Sequence, residues 1–155
     1  EASRVTVHLA GSAHTADWAR RAEREVECNP RFTWHRALSP EDALALLATA
    51  HLAACTSRLE GGANAVTEAL AIGVPVVGTA MAGNIGLLGE DYPGLSPVGD
   101  AAGLARILES ASSEPVRYQE LQTATQFRGD ITNPRTERDA WAQLLRSVGI
   151  QCVTS

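Results

Sequence analysis

Two kinds of hydrophobic spacing alternate along this 155-residue chain. Short apolar runs rich in β-branched residues are separated by longer stretches with helical periodicity. Residues 4–10 (RVTVHLA) read as a strand that ends in Gly11-Ser12. Residues 15–28 read as a helix, with Thr15 as N-cap and Asn29-Pro30 as its stop. Residues 31–35 (RFTWH) form a short strand. Ser39-Pro40-Glu41-Asp42 then opens a helix through Ala50, with a cap, a first-position proline and two acids in the first turn. Residues 51–56 (HLAACT) and 74–78 (VPVVG) are continuously apolar, the pattern of parallel strands buried on both faces. A helix over 63–72, stopped by Gly73, lies between them. Residues 79–100 are rich in Gly and Pro and read as loops with short ordered pieces. Helices are expected at 101–111, 118–127 and 136–148, the last with Trp141, Leu144, Leu145 and Val148 on one stripe.

Strand–helix alternation at this spacing predicts an α/β fold. It implies right-handed βαβ units and a Rossmann-like parallel sheet with helices on both faces. Ligands of such folds bind beyond the C-terminal ends of the strands. That rule singles out three loops, residues 11–14, 56–63 and 79–86. The length suits one domain spanning 1–155, with a helical C-terminal extension at about 114–148.

Composition narrows the partners. The net charge of −5 excludes a nucleic-acid backbone or an anionic membrane as the expected partner, since both demand a basic surface. One bound diphosphate needs only local donors, such as a helix N-terminus and a cation. No apolar run approaches the length of a membrane span. Cys28, Cys55 and Cys152 form no CxxC pair and read as free thiols of a reducing cytoplasm. The four histidines, His8, His14, His35 and His51, show no metal-ligand spacing, and no D-x-D pair appears. Neither a metal nor another cofactor is therefore expected.

The chemically informative segment is residues 57–78, SRLEGGANAVTEALAIGVPVVG. Glu60, Gly61 and Gly62 fall at a strand-to-helix turn. The glycines lack Cβ, so backbone there can approach a ligand closely. The first amides of the following helix, at Ala63, Asn64, Ala65 and Val66, have no intrahelical partners and form an anion site with the helix dipole. Glu68 lies one turn beyond Asn64 on the same side, where a carboxylate can accept two hydrogen bonds from a ribose diol. Val66, Ala69, Leu70 and Gly73 fall on the opposite, core-facing side. Glu60 precedes the helix on the mouth side, placed to accept from sugar hydroxyls. Spacing alone also permits a plainer reading, in which the glutamates only favour the helix start.

The run E-G-G-x-x-x-x-x-E-A-L-A-x-G-x-P-V-V resembles the E-x7-E signature of the retaining, group 1 glycosyltransferases, whose usual form is E-G-F-G-x-x-x-x-E-A-M-A-x-G-x-P-V-V. A-G-N-I-G-L-L-G, at 82–89, takes the place of that family's G-G-x-x-E loop. P-V-G-D, at 97–100, resembles its P-x-D segment. EGGAN, GNIGLLGEDYPG and PVGD together are most similar to the selenosugar synthases of selenoneine biosynthesis, which join a sugar from a UDP-sugar to selenophosphate. The resemblance covers residues 4–112. It implies the C-terminal half of a two-domain GT-B fold, with the N-terminal, acceptor-holding domain outside this chain. Departures are specific. Gly62 stands where the family has Phe, Gly86 stands where it has a carboxylate, and its diphosphate-binding Arg and Lys would precede residue 1.

The resemblance implies a donor-binding domain for a UDP-sugar, inactive in transfer without its partner domain. Glu60 is the candidate catalytic residue. Gly61, Gly62, Ala63, Asn64, Ala65 and Glu68 are the donor-binding candidates. Arg58 is a candidate cation for the diphosphate or an anionic acceptor. Asn84 is a candidate amide donor from the Gly-rich loop, though a turn role explains it equally. The resemblance implies that the backbone of the loop Arg36-Ala37-Leu38 meets the base, though a plain connector explains that loop nearly as well. Two other readings remain open: a non-catalytic nucleotide-binding regulatory module, and half of a GT-B epimerase or phosphorylase.

Overall fold

The computed structural model describes residues 4–61 and 63–148. Its order is β1 (Val7–Ala10), α1 (Ala16–Cys28), β2 (Phe32–Arg36), α2 (Pro40–Thr49), β3 (Ala53–Cys55), α3 (Asn64–Ile72), β4 (Val76–Thr79), α4 (Ala82–Leu88), β5 (Leu95–Ser96), α5 (Ala101–Ser113), α6 (Pro115–Arg128), a 3-10 turn (Gly129–Thr132) and α7 (Pro134–Ser147). All strand pairings are parallel, and helices flank both faces, a Rossmann-like arrangement. Thr15 caps α1 by accepting the Trp18 N–H, and Ser39 caps α2 by accepting the Asp42 N–H. Gly73 ends α3 at φ 76°, a left-handed backbone that favours glycine. It is exposed rather than core-facing, because its role is the cap.

The ladder forms two groups, β1-β2 and β3-β4-β5, where one sheet was expected. β4 is buried along its whole length, as its apolar run predicts. β3 is not: Cys55 is buried, while Ala54 and Thr56 are exposed. Alanine removes little apolar area from water, so an Ala-rich run looks apolar without compelling burial. The core centres on β4. Val66, Ala69 and Leu70 of α3, Leu88 of α4 and Leu121 of α6 pack around Val76 and Val77.

Residues 79–100 are more regular than their composition predicts. They hold the two-turn helix α4 and the short strand β5. Met81, Asn84 and Leu88 of this segment are buried, so packing overrides the weak helical preference of its glycines. Between α4 and β5, Tyr92 turns its hydroxyl into the core, where it accepts the Val76 N–H at 3.1 Å and meets the Thr125 hydroxyl at 2.9 Å. Burial pushes the Tyr92 hydroxyl pKa up from 10.0, against the opposing effect of these two hydrogen bonds.

Candidate functional site

β3 and β4 run parallel in the register Ala53↔Val76, Ala54↔Val77, Cys55↔Gly78, so their C-terminal ends open on one edge. The loop after β3 carries Ser57, Arg58, Glu60 and Gly61, and α4 follows β4. Two missing side chains bring these segments together. A Cβ on Gly78 would overlap the Cys55 carbonyl and press on Asn84. A Cβ on Gly83 would lie 2.5 Å from the Glu60 carbonyl oxygen. The first turn of α4 therefore sits directly against the backbone of Glu60 and Gly61.

Asn84 is wholly buried in this junction. Its Nδ2 donates to the Thr79 carbonyl at 2.9 Å and to the Cys55 carbonyl at 3.4 Å. The amide expected to meet a phosphate or sugar thus ties the ends of β3 and β4 together. The small residues around it let it sink below the mouth. Its Oδ1 is buried and has no partner among the described residues.

Glu60 is exposed, and its Oε1 accepts a hydrogen bond from the Ser57 hydroxyl. The Thr79 hydroxyl in turn donates to the Ser57 carbonyl. Neither Ser57 nor Thr79 was singled out from sequence. The contact depends on the β3–β4 register, which a hydrophobic pattern leaves open.

α3 begins without a side-chain cap and without an acid in its first turn. Its Val66 and Thr67 amides both bond to the Ala63 carbonyl, at 2.9 and 3.2 Å. Val66 is thereby removed from the expected anion site, while no described group accepts the Asn64 and Ala65 amides. Ala63 is buried at the cap position, and Asn64 and Ala65 are exposed. Glu68 is exposed on the Asn64 side, opposite the buried Val66, Ala69 and Leu70. Arg58 is exposed and forms no ion pair among the described residues. Gly62 lies outside the described residues.

The loop after β1 is built separately. Gly11, at φ 128°, donates its N–H to the Arg36 carbonyl at 2.7 Å. Arg36 itself adopts φ 58°, a left-handed backbone that costs an arginine on the order of 1 kcal/mol. Its guanidinium lies 4.5 Å from the Trp34 ring centroid and pairs with Glu23 at 3.2 Å. A cleft of about 370 Å³ opens here between α1 and the β1-β2 ladder, lined by His14, Trp18, Phe32 and Trp34 among others. His8 and His35, read singly from sequence, form a pair with Nδ1 and Nε2 3.0 Å apart. No group of three metal-ligating side chains occurs among the described residues. A larger groove, about 640 Å³, lies away from Glu60 between α4 and α6, beside Tyr92, Val116 and Phe127. No helix among the described residues is long and apolar enough to cross a membrane.

Comparison with known proteins places this geometry in context. The structure of HepE from Anabaena in complex with UDP superposes with a TM-score of 0.75 at 24% identity, covering 92% of this chain and 41% of that one. HepE with UDP-glucose gives 0.75 at 23%, covering 94% and 40%. Sucrose-phosphate synthase from Thermosynechococcus elongatus gives 0.72 at 22%, covering 91% and 38%. The chain thus shares their fold and spans about 40% of their length. No curated protein matches the sequence. The family profile described as "Glycosyl transferases group 1" matches residues 1–127, most of the chain, and the chain belongs to that family.

Proposed function

We propose that this chain is the donor-binding domain of a glycosyltransferase that draws its sugar from a UDP-sugar. One observation carries the reading. The uncapped start of α3, with the Asn64 and Ala65 amides unclaimed, comes four residues after exposed Glu60 and one turn before exposed Glu68. Amides at a helix N-terminus suit a diphosphate. Glu68 then reaches the ribose, and Glu60 the sugar. Arg58, unpaired at the same mouth, supplies a cation to the diphosphate or to an anionic acceptor. The complexes of HepE with UDP and with UDP-glucose support a nucleotide-sugar ligand for this fold. No metal enters the scheme, because the chain offers no D-x-D pair and the amides and Arg58 meet the leaving group instead.

In this reading a second domain, outside the chain, holds the acceptor and closes over the donor, excluding water. This domain alone binds donor and transfers little. The motif text EGGAN, GNIGLLGEDYPG and PVGD supports selenophosphate as the acceptor, in the manner of selenosugar synthases. Free thiols at Cys28 and Cys55 suit a cytoplasmic enzyme.

The test is a pair of substitutions read by titration with UDP and UDP-glucose. Glu68→Ala is expected to weaken both ligands by roughly 10- to 150-fold, the loss of a charged acceptor. Glu60→Ala is expected to leave UDP unchanged and to weaken UDP-glucose. Equal loss of bare UDP in both variants would overturn the placement of the sugar. A lowered melting temperature with unchanged binding would make the glutamates helix-start residues only. Binding of UDP with no preference for any UDP-sugar would favour a regulatory module.

A further inference from the structure

The proposed sugar ligand Glu60 stands on an exposed loop, yet its carboxylate is not left to rotate. One contact reaches the carboxylate, and two more seat the backbone that carries it. The Thr79 hydroxyl, at the last residue of β4, donates to the Ser57 carbonyl. The Ser57 hydroxyl donates to Glu60 Oε1. Gly83, in the first turn of α4, presents a bare backbone to the Glu60 carbonyl, with Gly61 alongside. The platform under these contacts is rigid, because Thr79 is buried and Asn84 clamps its carbonyl to that of Cys55.

An exposed glutamate ordinarily samples many rotamers, and ordering it for a ligand carries an entropic cost of about 1 kcal/mol or more. Ser57 meets that cost in the free protein. It holds one carboxylate oxygen, while Oε2 has no partner among the described residues. A carboxylate so held offers a fixed acceptor to a hydroxyl. We propose that Ser57, itself seated by Thr79, is a positioning residue for Glu60, whose backbone rests on Gly83, and that it sets how strongly the site prefers a UDP-sugar over bare UDP. The inference deepens the reading of Glu60 given above and rests on it.

Ser57 acts through Glu60 and does not touch the nucleotide. Its removal therefore changes the UDP-glucose affinity and spares the UDP affinity. Ser57→Ala is expected to weaken UDP-glucose by about 3- to 10-fold, the value of one net hydrogen bond. Ser57→Thr keeps a hydroxyl and is expected to restore the preference. Gly83→Ala pushes a methyl into the Glu60 backbone and is expected to lower the same ratio.

The deciding measurement is a double-mutant cycle in the UDP-glucose to UDP affinity ratio. If Ser57 works only through Glu60, Ser57→Ala adds nothing in a Glu60→Ala background. Additive losses, or an unchanged ratio in Ser57→Ala while Glu60→Ala lowers it, would overturn the positioning role and leave the sugar site standing. An unchanged ratio in Glu60→Ala itself would instead remove the sugar reading on which this one depends. A melting temperature lowered by Ser57→Ala with the ratio unchanged would assign Ser57 to stability alone and also overturn the proposal.

Discussion

Tyr92→Phe removes a single oxygen from the core, and the structure indicates what that oxygen does. It accepts the Val76 N–H at 3.1 Å and meets Thr125 Oγ1 at 2.9 Å. Val76 and Thr125 are both 0% exposed, so water cannot replace either contact. The phenylalanine ring fills the same space, and the loss is therefore polar rather than cavity-driven. The Thr125 hydroxyl can turn back to a carbonyl of its own helix, as helical threonines do. The Val76 amide has no such recourse. One orphaned buried donor costs about 1–3 kcal/mol. For a chain of this length that lowers the melting temperature by about 2–12 °C. Calorimetry measures the total. Amide hydrogen exchange at Val76 reports the cause, because that proton loses its acceptor. Thr125→Val in the Tyr92→Phe background is expected to cost less than Thr125→Val alone. Alkaline unfolding gives a second view. The folded pKa of Tyr92 is raised, so its contribution is complete below the unfolded value of about 10 and is lost as pH rises through the folded value. The Phe variant is expected to lose stability less steeply above pH 10. A loss under about 0.5 kcal/mol, with Val76 still protected, would refute the hydrogen-bond account.

Gly103→Ala reverses the usual helix propensity. The new methyl overlaps the Asp100 carboxylate and the Ser96 hydroxyl, and Asp100 caps α5 at the Gly103 N–H, so a net loss of about 1 kcal/mol is expected in a denaturant titration. Trp141→Ala changes little, because Trp141 is 56% exposed and Leu144 and Val148 beside it are also exposed. Its unfolding free energy is expected to stay within about 0.5 kcal/mol of the parent, and a larger fall would show a contact that the described residues lack.

The apolar stripe of α7 was legible from helical spacing. That spacing put Trp141, Leu144, Leu145 and Val148 on one face, of which Leu145 is half-buried and the other three are exposed. Capping residues were equally legible. Thr15 and Ser39 lie where their side chains satisfy orphan amides, and that chemistry is local. The exposure of Glu68 followed from helical spacing against Val66, Ala69 and Leu70. What could not be read was tertiary. α4 looked like loop because Gly83, Gly86 and Gly89 weaken any helix. The burial of Met81, Asn84 and Leu88 decides otherwise. Asn84 read equally as a ligand donor or a turn residue, because no pattern announces that two strand-end carbonyls will meet its amide.

The glycines at this edge bear on how a mouth made of loops can hold a charge in place. Gly78 and Gly83 have ordinary backbone angles, so flexibility does not explain them. They are the points where backbone from β3 and its loop comes too close to β4 and α4 for any side chain. Close approach makes short hydrogen-bonded links available, from Thr79 to Ser57 and from Ser57 to Glu60. Had either glycine been alanine, the loop would stand off, and an exposed Glu60 would be free to turn. The same small residues that made the segment look irregular in sequence thus allow its rigidity. If this edge holds the donor as proposed, such stiffness would serve transfer, since a fixed carboxylate would let closure be driven by the correct sugar.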